Sequence, residues 1–405
     1  MPPKETIPLM SGPVFIASRD FALDRLAGFV PRAGRDYAAG RNTDPGPDEP
    51  GAVSRLSPFL RYRIVSEQEV VSPVITRHGV AAAEKFIHEV LWRTYWKGWL
   101  EMRPGVWRRF LAERDIHARN EAVAIREAEA GRTGIDCFDH WVGELKETGY
   151  LHNHARMWFA SIWIFTLRLP WTLGADFFLR HLIDADPASN TLSWRWVAGL
   201  HTPGKIYLAT AENIARYTQG RFAPRGLAVS AEPVAEATAE RPSVLASPVP
   251  ADPSRPAILL VTHEDLHPAP LLEGDMAFRS VAVACDAGLL WGDGARRFVT
   301  EAAADTAQRI CRQLSCSASV IDRLDVAALL AEARSAGATQ IVTPYAPVGP
   351  VADALLRLSP ELAREGISLV TVRRSWDAAF WPHAKKGFFA FKEHIPGLLN
   401  AGGLA

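Results

Sequence analysis

"ITRHGVAAAEKFIHEVLWRTYWKGWLEM", residues 75–102, decides how the first half of the chain is read. Ile87, Leu91 and Tyr95 fall on one face, and Glu89, Trp92, Arg93 and Trp96 on another, which is the α-helical period. Strand signals are nearly absent before residue 228, so an all-helical domain over 1–227 is expected. The most hydrophobic run, Met157 to Leu167, is closed off by Arg156, Arg168 and Pro170. It is too short to cross a bilayer and predicts a buried helix.

Residues 228–256, "AVSAEPVAEATAERPSVLASPVPADPSRP", are rich in Ala, Pro, Glu and Ser without an amphipathic period, which predicts a linker. The period then changes. "AILLVTHED", "RSVAVAC", "SASVID", "TQIVTPY" and "ISLVTVRR" read as short buried strands. Between them, "ARRFVTEAAADTAQRICRQL", "VAALLAEARSAG" and "VADALLRLSPELAREG" read as helices. This alternation predicts a Rossmann-like doubly wound parallel sheet over 257–405, and hence an α + α/β multidomain chain. The first strand runs into "THEDLHPAP" rather than a glycine-rich loop, so the dinucleotide fingerprint is missing.

Bulk composition excludes several classes. With 405 residues, 48% hydrophobic and 22% charged, the chain is an ordinary globular one of about two domains. Lys+Arg equals Asp+Glu at 45 each, so no bulk positive field announces nucleic acid. Cys137, Cys285, Cys311 and Cys316 form no CxxC, which argues against a disulfide framework, a zinc site or an iron–sulfur cluster. The N-terminus lacks the apolar core of a signal peptide. A cytoplasmic monomer without membrane attachment is the expected state.

Thirteen tryptophans, most of them between 92 and 196, suggest a large helical core or a stacking surface for flat rings, and helical spacing favours the core. "HNH" at His152, Asn153 and His154 is not expected to bind metal, because no acidic or cysteine ligand follows at ligand spacing. In "LIDADPASN", Asp186 before Pro187 reads as a helix N-cap, and Asp184, taken alone, as a surface charge.

From about residue 20 to 227 the chain resembles the flavin-binding helical domain of the DNA photolyase/cryptochrome family. The segments "YAAGRN", "SRLSPFLRY", "HEVLWRTYW", "GRTGIDCFDHWVGEL", "TGYLHNHARM", "LIDADPASN" and "WRWVAG" stand in the family's order at nearly its spacing. The resemblance implies FAD as cofactor, contacted by Tyr37, Ser54, Leu56, Ser57, Arg93, Asn153, Arg156, Asp184, Asp186 and Asn190. Ser54, Leu56 and Ser57 match a phosphate-binding segment whose threonine is Val53 here. Arg156 and Asp184 match a buried pair beside the flavin, and Asn190 the residue facing flavin N5.

It further implies damaged DNA as partner, with Glu89, Trp92, Met157 and Trp196 matching the pocket for a pyrimidine dimer, and with Glu89, Trp92 and Asn190 in the catalytic roles. Trp194 and Trp171 match the inner members of an electron-hopping chain, whose outer position falls near Ala118; Trp107 and Trp141 are candidates to replace it. His154 and Tyr150 depart from an arginine and a tryptophan of the family. The implied activity is a blue-light-dependent dimer lyase acting in DNA repair, with a cryptochrome-like photoreceptor as the alternative. Residues 257–405 are faintly similar to the family's antenna domain moved to the C-terminus, and an unrelated α/β partner-binding module remains open. No residue is assigned to an antenna chromophore.

Overall fold

The computed structural model describes residues 13–49, 51–119, 122–236, 240–247 and 249–404. The N-terminal stretch read above for a signal peptide lies mostly outside them.

The first half is helical: α1 (Arg19–Phe29), α2 (Arg35–Gly40), α3 (Ser57–Arg61), α4 (Glu67–Glu101), α5 (Pro104–Ala118) and α6 (Val123–Glu129). It continues with α7 (Asp136–Thr148), α8 (Asn153–Ser161), α9 (Trp171–His181), α10 (Pro187–Val197) and α11 (Ala211–Tyr217). Helix α4 begins with a capping box, in which the Ser66 hydroxyl accepts from the Glu69 N–H and the Glu69 carboxylate accepts from the Ser66 N–H. It is not straight. Gly79 at φ 72° breaks the helical run, a conformation that glycine adopts without a Cβ clash. Past the break, Ile87, Leu91 and Tyr95 are buried, as their spacing predicts. The apolar run from Met157 continues α8 into a π-helical turn, Ile162–Thr166, sunk in the core.

The second half is a five-stranded parallel sheet of β1 (Ala257–Thr262), β2 (Phe278–Ala284), β3 (Ser317–Ile321), β4 (Gln340–Pro344) and β5 (Ser368–Val372). Its order, β3-β2-β1-β4-β5, reverses direction between β1 and β4, which is the doubly wound arrangement. The interleaved and following helices are α12 (Ala269–Leu272), α13 (Asp293–Leu314), α14 (Val326–Ser335), α15 (Pro350–Arg364), α16 (Ser375–Phe380), α17 (Phe388–Lys392) and α18 (Ile395–Ala401). Alternate residues of β1 serve different cores. Leu259 and Val261 join α13 and the helical half, whereas Ile258 and Leu260 join α14 and α15.

Buried ion pairs join the halves alongside apolar packing. Arg61 donates to both oxygens of Glu264 at 2.7 and 2.8 Å, Arg63 donates to Asp377 at 2.7 Å, and all four side chains are buried. Glu101, at the end of α4, accepts from the Tyr345 hydroxyl and the Val348 N–H. Gly98 leaves space for Trp381, since a Cβ there would lie 2.9 Å from the tryptophan Cα. The segment after residue 227 is a pinned strap rather than a free tether. Glu236 accepts from Arg195 at 2.7 and 2.9 Å, and Glu240 from the Gly105 N–H and Arg109.

Candidate functional site

Two buried carboxylates organise the centre of the helical half. Asp186 caps α10, accepting from the Ser189 N–H at 2.9 Å with Pro187 at the first helical position, as its sequence context predicts. Its outer oxygen accepts from Arg93 at 2.5 Å. Asp184 is 4% exposed, which overturns its isolated reading as a surface charge and agrees with the buried pair that the resemblance implies. It accepts from Arg156 at 3.1 and 3.2 Å, while Arg156 Nε donates to the Leu151 carbonyl. Burial alone would raise both acids. The cations outweigh it: Arg156 and Arg93 hold Asp184 below the ordinary carboxylate value, and Arg93, Lys97 and Arg61 hold Asp186 well below it.

The other cofactor-matching residues stand on α2, α3, α8 and α10 and in the loop before α3. Tyr37 is buried against Phe29 and Phe86, with both rings meeting it edge-on. Leu56 is buried, and its N–H donates to Ser54 Oγ at 3.3 Å. Ser57 Oγ is shut off from solvent near Asp184 without a hydrogen bond of ordinary geometry, and Ser189 Oγ is likewise unpartnered. Asn190 is buried and donates through Nδ2 to the Ala175 carbonyl at 2.8 Å, which fixes its amide and leaves Oδ1 for another partner. Asn153 is exposed and donates to Glu89 Oε1 at 3.0 Å, so the structure ties it to the dimer-matching set.

Glu89, Trp92, Met157 and Trp196 are all half-buried. They stand on α4, α8 and α10, three helices of which α10 packs on both others. Partial burial raises the Glu89 carboxyl above the ordinary carboxylate value, opposed by Arg41, which donates to it at 3.3 Å. Phe388 of α17 stacks on Trp92 with centroids 3.7 Å apart and planes 11° from parallel, and Tyr207 stacks on Trp196 at 5.6 Å. Trp194 is buried with its ring over Gly174, one turn from Trp171.

Sequence reasoning missed Arg41, Phe388 and a polar knot beside Ser54. In that knot Glu144 is 2% exposed with Oε2 unpartnered, and it shares a cavity of about 10 Å³ with Asp44, Arg55, Tyr150 and His152. That is about the room of one water. His152 caps α8, its Nδ1 accepting from the His154 N–H, but its Nε2 has no partner. A far larger cavity, about 810 Å³, opens between α1, the start of α4 and the loop after β1. None of the cofactor-matching residues line it. Among the described residues no His/Cys/Asp/Glu group could hold a metal ion, and no helix is long and apolar enough to cross a membrane.

Burial, reinforced by Asp44 and opposed by Arg221 and Arg55, pushes the Glu144 carboxyl up to about 8. A folded value above the unfolded one makes ionisation destabilising. The penalty is absent below about pH 4.5, grows through the interval and is complete above about pH 8. Its ceiling is roughly 5 kcal/mol at about 1.4 kcal/mol per unit. Thermal melts at matched flavin content should therefore show Glu144→Gln more stable than the parent on the alkaline side and equal to it on the acid side. Equal melting temperatures on both sides would mean that Glu144 ionises freely.

A family model described as the FAD binding domain of DNA photolyase matches residues 86–225. A deoxyribodipyrimidine photo-lyase of Streptomyces griseus is 36% identical over 152 residues, which is 37% of this chain and 33% of the relative. Another, from Thermus thermophilus, is 34% identical over 161 residues, 38% of this chain and 37% of the relative. A solved class III photolyase from Agrobacterium tumefaciens covers 50% of this chain and 43% of itself, at 27% identity and a TM-score of 0.43. The chain spans about a third of the length of the curated relatives it matches.

The donor set fits FAD. Unpartnered buried hydroxyls at Ser57 and Ser189 suit a polar ligand, the arginines beside Asp184 and Asp186 suit an anionic one, and the amide of Asn190 is held ready by Ala175. With the model match over α4 to α11 and this donor set together, the helical half carries a FAD-binding domain similar to that of DNA photolyases.

Proposed function

We propose that the chain splits cyclobutane pyrimidine dimers in DNA under blue light. The observation that carries this reading is Glu89, a half-buried carboxyl with a raised pKa, held by Asn153 one helical turn from Trp92. FAD, when bound and reduced, supplies the light-driven electron that opens the cyclobutane ring and is then returned. The remaining work falls to the protein. Trp92 and Trp196 offer indole faces on which two extrahelical bases stack, worth about 1–3 kcal/mol per base against the few kcal/mol of extracting a damaged pair. Phe388, parallel to Trp92, fixes the plane of that indole. Glu89, whose carboxyl burial raises above the ordinary carboxylate value, donates in its protonated form a hydrogen bond to a dimer carbonyl as charge develops there. Lys385 and Lys386, exposed just before α17, supply local positive charge for the phosphates despite the neutral total.

Residues 257–405 are read as an antenna-type domain in a permuted position, connected through 228–256 to a flavin domain over 1–227. The support is the β3-β2-β1-β4-β5 order and the depth at which the end of β1 is buried against α3. The Phe388–Trp92 stack favours a second reading as well, a cryptochrome-like photoreceptor, because it joins the dimer-matching set to the second half of the chain.

The test uses FAD-loaded protein, chemical reductant, a thymine-dimer oligonucleotide and blue light against a dark control. Trp92→Ala is expected to weaken dimer binding by about 1–3 kcal/mol, roughly 5- to 150-fold. Glu89→Gln should leave binding nearly intact and lower the repair yield, removing the decline in yield expected of the parent as rising pH ionises Glu89. Absence of dimer loss in the parent, with flavin bound and reduced, shifts the assignment to the photoreceptor.

A further inference from the structure

The two inner indoles, Trp194 and Trp171, stop short of solvent: they are 2% and 6% exposed. A route outward is visible in the ring contacts. Trp171 meets Phe110 at 5.7 Å between centroids and an interplanar angle of 35°. Phe110 in turn meets Trp107 at 5.3 Å and 30°, and Trp107 meets Trp291 at 5.6 Å and 76°. Trp107 and Phe110 are each 1% exposed, whereas Trp291 is half-buried and borders solvent.

Trp291 belongs to the α/β half, in the crossover between β2 and α13. Its position against the helical half is fixed by the next residue. Gly292 approaches the end of α9 so closely that a Cβ on it would fall 1.9 Å from the Arg180 carbonyl oxygen. The other indoles around Trp194 lead inward. Trp163 is fully buried and continues to Phe159, Phe177 and Phe138. Trp141 stacks on Trp158 in a separate series with Phe222 and His154, whereas Trp194 approaches α9 at Gly174, one turn from Trp171.

We propose that Trp107 and Trp291 form the outer half of the electron route into the flavin site, so that the α/β half provides the terminal donor. One electron leaves Trp194 for the photo-excited oxidised flavin. Trp171 refills Trp194, Trp107 refills Trp171 across Phe110, and Trp291 refills Trp107. Phe110 is too hard to oxidise to hold the charge and serves as the medium between two indoles. The Trp291 radical cation releases its indole proton to water, and the neutral radical takes a hydrogen atom from a thiol in solution, leaving a thiyl radical. The net change is one electron to the flavin, one thiol oxidised and one proton released. This inference rests on the FAD assignment, and its signals come from tryptophan, so they are read whether or not the chain repairs dimers.

The experiment illuminates the full FAD-loaded chain with and without a small thiol. Transient absorption records the tryptophan radicals, and peptide mass spectrometry after illumination in air without thiol locates oxidised tryptophan in the unmutated chain. Photoreduction by thiol is expected to fall in Trp291→Phe and Trp107→Phe to the level of Trp171→Phe, at equal flavin content. Oxidation is expected to accumulate at Trp291. Photoreduction at the parental rate in Trp291→Phe, with Trp171→Phe inactive, would place the exit elsewhere and overturn the proposal. Oxidation concentrated at Trp141 or Trp163 overturns it equally, and that measurement needs no variant to fold.

Discussion

Arg61→Ala should destabilise the chain by about 3–5 kcal/mol in urea unfolding, because it strands a carboxylate that has left water entirely. Arg61 and Glu264 are 2% and 3% exposed, and the guanidinium also donates to the Ala185 carbonyl beside Asp186. Removing the arginine leaves Glu264 with the buried Lys97 and with His263 at 3.8 Å. His263 is pushed down to about 4 by burial, so it is neutral and offers no counter-charge at physiological pH. The double variant Arg61→Met/Glu264→Leu should recover most of the loss, since replacing both partners by apolar side chains removes the stranded charge. A single-variant loss below about 1 kcal/mol would mean that water reaches the pair and that it behaves as a surface bridge.

Asp184→Ala should yield protein that purifies with little flavin and unfolds about 3–5 kcal/mol more readily. Asp184 holds Arg156 through three contacts between 3.1 and 3.2 Å and stands 4.0 Å from Arg93. Without it Arg156 keeps only its bond to the Leu151 carbonyl, and Arg93 leans wholly on Asp186. The Arg156 and Arg93 guanidiniums would swing, and the ordered donor set proposed for the cofactor is lost. Asp184→Asn, which keeps hydrogen bonding without charge, should fall between parent and alanine variant in both readouts. Flavin absorbance per protein measures the first and urea unfolding the second; an alanine variant with a full complement of flavin would remove Asp184 from the cofactor site.

The helical half was legible from the offsets of Ile87, Leu91 and Tyr95 beyond the break in α4, and the sheet from the apolar runs of β1, β2 and β4, whereas β3, read as a buried strand, stands half-buried to exposed at the edge. The Asp186 cap was legible too, from Pro187 alone. What escaped has a common cause. Arg61 and Arg63 lie in "LRYR", and their partners Glu264 and Asp377 are 203 and 314 residues away, so no local period marks them as buried. Asp184 reads as a surface charge only from its local context, its partner Arg156 being 28 residues off, and it was the resemblance that marked the two as a buried pair. Composition identified 228–256 as a connector, but it does not separate Glu236 and Glu240, which pin the strap, from glutamates that only solvate one. Residues 237–239 and 248 of that segment lie outside the described ones. The break at Gly79 was signalled only by one glycine in a helical run, where the usual outcome is a tolerated defect.

The sequence separation of those buried pairs has a consequence for biosynthesis. A ribosome delivers α1 to α11 well before the strand that carries Glu264 and the helix that carries Asp377. Until then Arg61, Arg63 and Lys97 are three cations without their long-range carboxylates, and their pocket must stay hydrated. The helical half therefore reaches its dry state only after translation passes residue 377, and closing loops of this length is slow. A nascent helical half that waits hydrated in this way completes its packing only together with the half that follows it.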